Sequence, residues 1–225
     1  MKSRAFTMAE LLVTMSIIGV IAAITIPIIR GINPNNEMVM FKKTYFIASR
    51  TINELINDED YYPEADTNVG SGFSHVDLRD VGLPQATYNG RQYSGASKFC
   101  GLFASKLNIS GDFDPNVNCN GRRSLDAGGN FETTDGVRWS MPFGTFAGGS
   151  ELILVDVNGN KQNNCGEAPD FGGNVCAAGV EPDRFAIRVF RDGRIEVPSA
   201  VARRYLTSQN TNKKYSEILE ELRRN

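Results

Sequence analysis

The apolar positions of this chain change their pattern twice. From Leu11 to Ile29 they form a nearly continuous run of nineteen residues without a charge. At ~1.5 Å per residue in a helix, such a run is about as long as a hydrocarbon core is thick. From Met38 the pattern becomes periodic. Met38, Phe41, Tyr45, Ile52, Leu55 and Ile56 recur at helical spacing and predict an amphipathic helix over 31–58 whose stripe docks on a sheet. Between the two, Gly31-Ile32-Asn33-Pro34 is a site for a bend or break, because Pro removes a donor and Gly is permissive.

Residues 59–135 read as a connecting region with weak periodicity. One short helix is expected in it over Ala96 to Leu107, carrying Phe99, Leu102, Phe103 and Leu107. Strand signals come late. Gly136 to Met141 alternates, Glu151 to Val157 is nearly all apolar, and Arg184 to Phe190 alternates again. Asp192-Gly193 suits a tight hairpin turn joining Arg184–Phe190 to Arg194–Val197, so the sheet of 136–198 is predicted to be antiparallel. In the tail, 199–225, a last helix is expected over Lys213 to Arg224, with Tyr215, Ile218, Leu219 and Leu222 on one face and Arg223-Arg224 at its negative end. The fold class that follows is α+β: a long N-terminal helix, its first half membrane-spanning, packed on a C-terminal antiparallel sheet.

The apolar run carries one residue out of character. Glu10 stands at its start, and a carboxylate within a span costs up to ~2.5–3.5 kcal/mol on insertion scales, less near the interface. A secretory signal peptide with Val20-Ile21-Ala22 as its cleavage site leaves Glu10 unexplained, and the run continues past Ala22 through Ile24, Ile26, Ile28 and Ile29. An ordinary signal anchor leaves it unexplained too. A partner for the carboxylate is the economical explanation.

Ala5-Phe6-Thr7-Met8-Ala9-Glu10-Leu11-Leu12 resembles the processing site of type IV pilins and type II secretion pseudopilins. The likeness covers Lys2 to Pro27, with Pro27 where that family often kinks its helix. It departs at Ala5, where the family has Gly. The resemblance implies a leader of residues 1–5 cut between Ala5 and Phe6 by a prepilin peptidase, methylation of the new Phe6 amine by the same enzyme, and a role for Glu10 in assembly. It also implies a pilin-like fold, with a transmembrane helix over 6–30 and a head over 31–225 outside the cytoplasm. The partners it implies are other pilin or pseudopilin subunits and an inner-membrane assembly platform. Within the sheet, Asp156 to Lys161, Asp183-Arg184-Phe185 and Asp192-Gly193-Arg194-Ile195 look like the tail of pseudopilin heads. The usual Gly-Pro-Asn after the turn is replaced by Gln162-Asn163-Asn164 and a longer loop.

Charge and cysteines refine this picture. The chain has 24 basic and 26 acidic residues. It has no basic excess for nucleic acid. Lys2 and Arg4 precede the apolar run and Arg30, Lys42 and Lys43 follow it, so charge alone does not decide orientation, but a short basic N-terminus normally stays cytoplasmic. With that orientation, the resemblance implies a single-pass inner-membrane protein with a periplasmic or extracellular head. Cys100, Cys119, Cys165 and Cys176 all follow the run and contain no C-x-x-C pair, which favours structural disulfides over zinc. Four cysteines allow three connectivities. Pairing Cys100 with Cys119 and Cys165 with Cys176 is expected, because each bond then closes a loop with little regular structure.

Enzyme chemistry finds little purchase. The one histidine, His75, sits among polar turn residues, and no phosphate-binding loop, dinucleotide motif or paired-histidine zinc motif occurs. No cofactor is expected. One metal pattern is present: Asp156, Asn158, Asn160, Asn164 and Glu167 fall at positions one, three, five, nine and twelve of a calcium loop, but Lys161 replaces the glycine needed at position six. The plain reading is an oxygen-rich turn. Calcium, if bound, would use Asp156, Asn158 and Asn160, and the resemblance adds that some pseudopilins bind calcium in a C-terminal loop. Two function classes follow: a structural filament subunit of a pilus or secretion pseudopilus, or a membrane-tethered binding module that uses prepilin processing without polymerising.

Overall fold

The computed structural model describes residues 8–31, 35–58, 60–62, 86–144, 146, 148–159, 161, 163–167 and 174–224. Helix α1 spans Met8–Gly31 and α2 spans Asn36–Ile56, with non-helical Asn35 at the start of the second. Pro34 itself lies outside the described residues. Asn35 restarts the helix: its side-chain oxygen accepts the Met38 N–H at 2.7 Å, which satisfies a donor that the first turn leaves open.

A short hairpin follows, β1 (Ala86–Tyr88) with β2 (Arg91–Tyr93), then α3 (Lys98–Ser105) and a single helical turn, α4 (Pro115–Asn118). The main sheet contains β3 (Phe131–Glu132), β4 (Arg138–Ser140), β5 (Ser150–Asp156), β8 (Arg184–Phe190) and β9 (Ile195–Glu196) in that spatial order, every pair antiparallel. Strands β6 (Cys165–Gly166) and β7 (Asn174–Val175) form a separate parallel pair in the loop between β5 and β8. The chain closes with α5 (Ala200–Thr207) and α6 (Tyr215–Arg224).

Alternation along β5 and β8 sorts their side chains between two faces. Ile153, Val155, Phe185, Ile187 and Val189 point into the main core, where Met38, Phe41, Ala48, Ile52 and Leu55 of α2 are also buried. The expected docking of the periodic helix on the late sheet is what the structure has. The stripe is broader than its apolar members, because Thr44 and Thr51 are buried with them. On the opposite face Leu154 and Ala186 form a second small cluster with Leu125, carried by a 3-10 turn over Leu125–Ala127.

The β8–β9 turn sits at Asp192-Gly193, as expected. Gly193 has φ +79°, and a Cβ there would lie 2.4 Å from Cδ1 of Ile56. Glycine is therefore required by conformation and by the close approach of α2.

Three features depart from the expectation. The sheet starts at β3, ahead of 136, because Phe131 and Glu132 pair with Trp139 and Arg138. The connecting region holds a hairpin and α4 besides the expected helix. The tail folds as two helices: Ser199 caps α5 by accepting the Ala202 N–H at 2.9 Å, and Val201, Ala202 and Tyr205 bury its inner face.

Candidate functional site

The N-terminal segment is the first candidate site. Ala5 and Phe6, the expected processing and methylation residues, lie outside the described residues. Glu10 lies in the first turn of α1, where the helix dipole favours a carboxylate. Beyond it the apolar side chains face outward: Leu11 is 50% exposed, Leu12 68%, Ile18 62% and Ile21 55%. An exposed apolar surface of this kind marks a contact with membrane or protein.

The polar residues of α1 do not spoil that surface. Thr14 donates to the Leu11 carbonyl at 3.0 Å, and Ser16 donates to the Leu12 carbonyl at 2.9 Å. Both hydroxyls are satisfied inside the helix, so covering them with apolar groups strands no donor. Among the described residues, no helix is long and apolar enough to cross a membrane. The side chains of α1 are described at Met8 to Ile21 and at Ala23, which leaves Ile24 to Ile29 of the apolar run outside.

The calcium pattern of the sequence falls elsewhere. Asp156 ends β5, fully buried, and its Oδ2 accepts from Nε of Arg184 at 3.1 Å. Arg184 also reaches Asp126 at 2.7 Å and Asn164 Oδ1 at 3.3 Å. The guanidinium thus supplies positive charge where the sequence pattern suggested a cation. Asn160 lies outside the described residues, and no group of three or more His, Cys, Asp or Glu among those described is placed to hold a metal ion. Burial, with Asp183 nearby, outweighs Arg184 and pushes the Asp156 carboxyl up to about 6. In the sequence Arg184 belongs to Asp183-Arg184-Phe185 and opens β8, and nothing local to it signals its ion pairs. The alternation of β8 does place it on the same face as Ala186, opposite the core.

Cys100 is bonded to Cys119 and Cys165 to Cys176, the expected pairs, and no cysteine is free. His75 lies outside the described residues. A cleft of about 380 Å³ runs beside α2, lined among others by Lys43, Arg50, Lys106, Asp135 and Trp139. Its charges are largely matched internally, with Lys43 2.8 Å from Asp135 and Arg50 2.7 Å from Glu54.

Residues 1–26 match the family model described as the prokaryotic N-terminal methylation motif. That motif is the type IV pilin-like signal for prepilin cleavage and methylation. The motif supports processing of the chain by a prepilin peptidase, and it implies assembly with other pilins. The chain shows no match to a curated protein or to a solved structure.

Proposed function

We propose that this chain is a structural subunit of a type IV pilus or type II secretion pseudopilus. The observation that carries the reading is the prepilin signal of residues 1–26 leading directly into a helix whose apolar side chains are exposed. In this reading residues 1–5 are the leader, and cleavage between Ala5 and Phe6 frees an amine that is then methylated. Residues 6–30 hold the chain in the inner membrane with its N-terminus cytoplasmic, until an assembly platform moves the subunit into a filament. Residues 31–225 are the pilin-like head outside the cytoplasm. Two disulfides favour such an oxidising location.

Assembly buries α1 against the same helix of neighbouring copies. Leu11, Leu12, Val13, Ile17, Ile18, Val20 and Ile21 supply the apolar contact, and Thr14 and Ser16 enter it already hydrogen-bonded. Two measurements test the reading together: mass spectrometry of the mature N-terminus, and the content of sheared filaments. A mature chain starting at methylated Phe6 and present in filaments is expected. A processed chain found only as membrane monomer would replace the filament subunit with a tethered binding module. A chain starting at Ala23 would overturn both.

A further inference from the structure

The described side chains of α1 are exposed, and the chain passes from α1 into the head at the joint before Asn35. Asn35 is the described residue of the head nearest that joint, and it is held from three sides. Its Oδ1 caps α2, its backbone N–H donates to the Thr211 carbonyl at 2.7 Å, and its Nδ2 donates to Oε1 of Glu181. The same Oε1 accepts the hydroxyl of Tyr205 at 2.5 Å, and Tyr205 is fully buried on α5. Farther along α2, Lys42 donates to the carbonyl of Ser208. The C-terminal segment thus grips the start of α2 at points far apart in the chain.

We propose that Asn35, Glu181 and Tyr205 form a latch that sets the direction in which α1 leaves the head. Capping alone does not require Glu181, because Asn35 Oδ1 already satisfies the first turn. Glu181 is half-buried, and burial raises its pKa with a further contribution from Glu37, so its carboxylate sits there at a cost. A carboxylate that takes two donors on one oxygen gives directional restraint that apolar packing would not. Burial, reinforced by Glu181, also raises the pKa of Tyr205, which keeps its hydroxyl a donor. With the latch closed, Asn35 is held in one orientation by its side chain as well as its backbone. With it open, the cap and the backbone bond to Thr211 remain, without the side-chain restraint. The latch is a property of the single chain and holds whether or not the chain enters a filament.

The test uses the full chain in detergent micelles, with nitroxide labels replacing Val13 on α1 and Arg191 on the β8–β9 turn. Distance distributions and amide hydrogen exchange are compared for wild type, Tyr205→Phe, Glu181→Ala and Glu181→Gln. The wild type should give one narrow distance. Tyr205→Phe and Glu181→Ala should broaden it and speed exchange at Asn35 by about tenfold or more, as expected for loss of a charge-assisted bond. Glu181→Gln, which keeps an acceptor, should fall between. Ile153 and Ile187 in the sheet should exchange as before. Distances unchanged in the variants would overturn the proposal, as would exchange rising equally in the sheet. Should Tyr205→Phe fail to accumulate, the order of the two Glu181 variants decides the matter.

Discussion

The ring of Phe41 on α2 lies 4.4 Å, centroid to centroid, from the ring of Phe185 on β8. Phe185 also meets Tyr205 of α5 at 5.8 Å, so one strand residue joins the N-terminal and C-terminal helices across the sheet. Phe185→Ala should therefore cost about 3–5 kcal/mol, the range for a buried aromatic truncated to alanine. Urea unfolding of the variant checks it, and a loss under ~1 kcal/mol would mean that α2 is held without this contact.

Asn130 is the polar counterpart. Its Oδ1 accepts the N–H of Met141 at 2.7 Å and of Arg123 at 3.3 Å. Its Nδ2 donates to the carbonyls of Asn118 at 2.6 Å and Gly121 at 2.8 Å. The residue is 1% exposed and fills all four of its bonding positions. It ties the loop after Cys119 to the sheet. Asn130→Asp replaces both donors with an acceptor facing carbonyls, so it should destabilise the head by at least ~2 kcal/mol. The exposed Asn116→Asp change serves as the control in the same thermal unfolding series, and equal melting temperatures would sink the claim.

Much of this head was legible in the sequence because its signals are local. The α2 stripe, the alternation of β8 and the Asp-Gly turn each need only a few neighbouring residues. The misses are long-range. Phe131 becomes a strand residue only because Trp139 pairs with it, and Arg184 becomes an ion-pair centre only when Asp126, Asp156 and Asn164 meet it. Helix α5 did leave a local trace in Ser199 as cap and Val201, Ala202 and Tyr205 at helical spacing, behind Pro198. At the N-terminus the position is reversed: Phe6 and Glu10 are legible as a motif, because an enzyme reads residue types in sequence there.

Asp156 gives the pH prediction. Its carboxyl is raised from 3.8 to about 6 in the head, so the folded state holds a proton that the unfolded chain has already released. Its contribution is fully present below pH ~4 and is lost as pH rises through about 6. Across that window wild type should lose ~2–3 kcal/mol relative to Asp156→Asn, which does not titrate there. Denaturant midpoints of both proteins at several pH values measure it. A constant difference between them from pH 4 to pH 7 would show that Arg184 keeps Asp156 ionised throughout.

Glu10 carries the prediction on assembly. On the proposed processing, cleavage before Phe6 frees a cationic amine four residues ahead of the Glu10 carboxylate. When copies pack side by side, the carboxylate of one can meet the amine of a neighbour shifted along the filament axis. Both groups lose water on packing, and a pair of opposite charges offsets that loss, whereas a carboxylate packed without its partner is strongly penalised. Only one axial offset satisfies the pair, so the charge selects register while Leu11, Leu12, Val13, Ile17 and Ile18 supply area. Folding of the head does not depend on it, since Glu10 belongs to α1 and the core is built from α2, the sheet and α5. Glu10→Ala should therefore leave protein amount, membrane location and both disulfides intact, while incorporation into sheared filaments falls by an order of magnitude or more, since a strongly destabilising loss at each subunit contact accumulates along the filament. Immunoblots of filament and membrane fractions measure the ratio. Incorporation equal to wild type would show that the apolar face sets the register by itself.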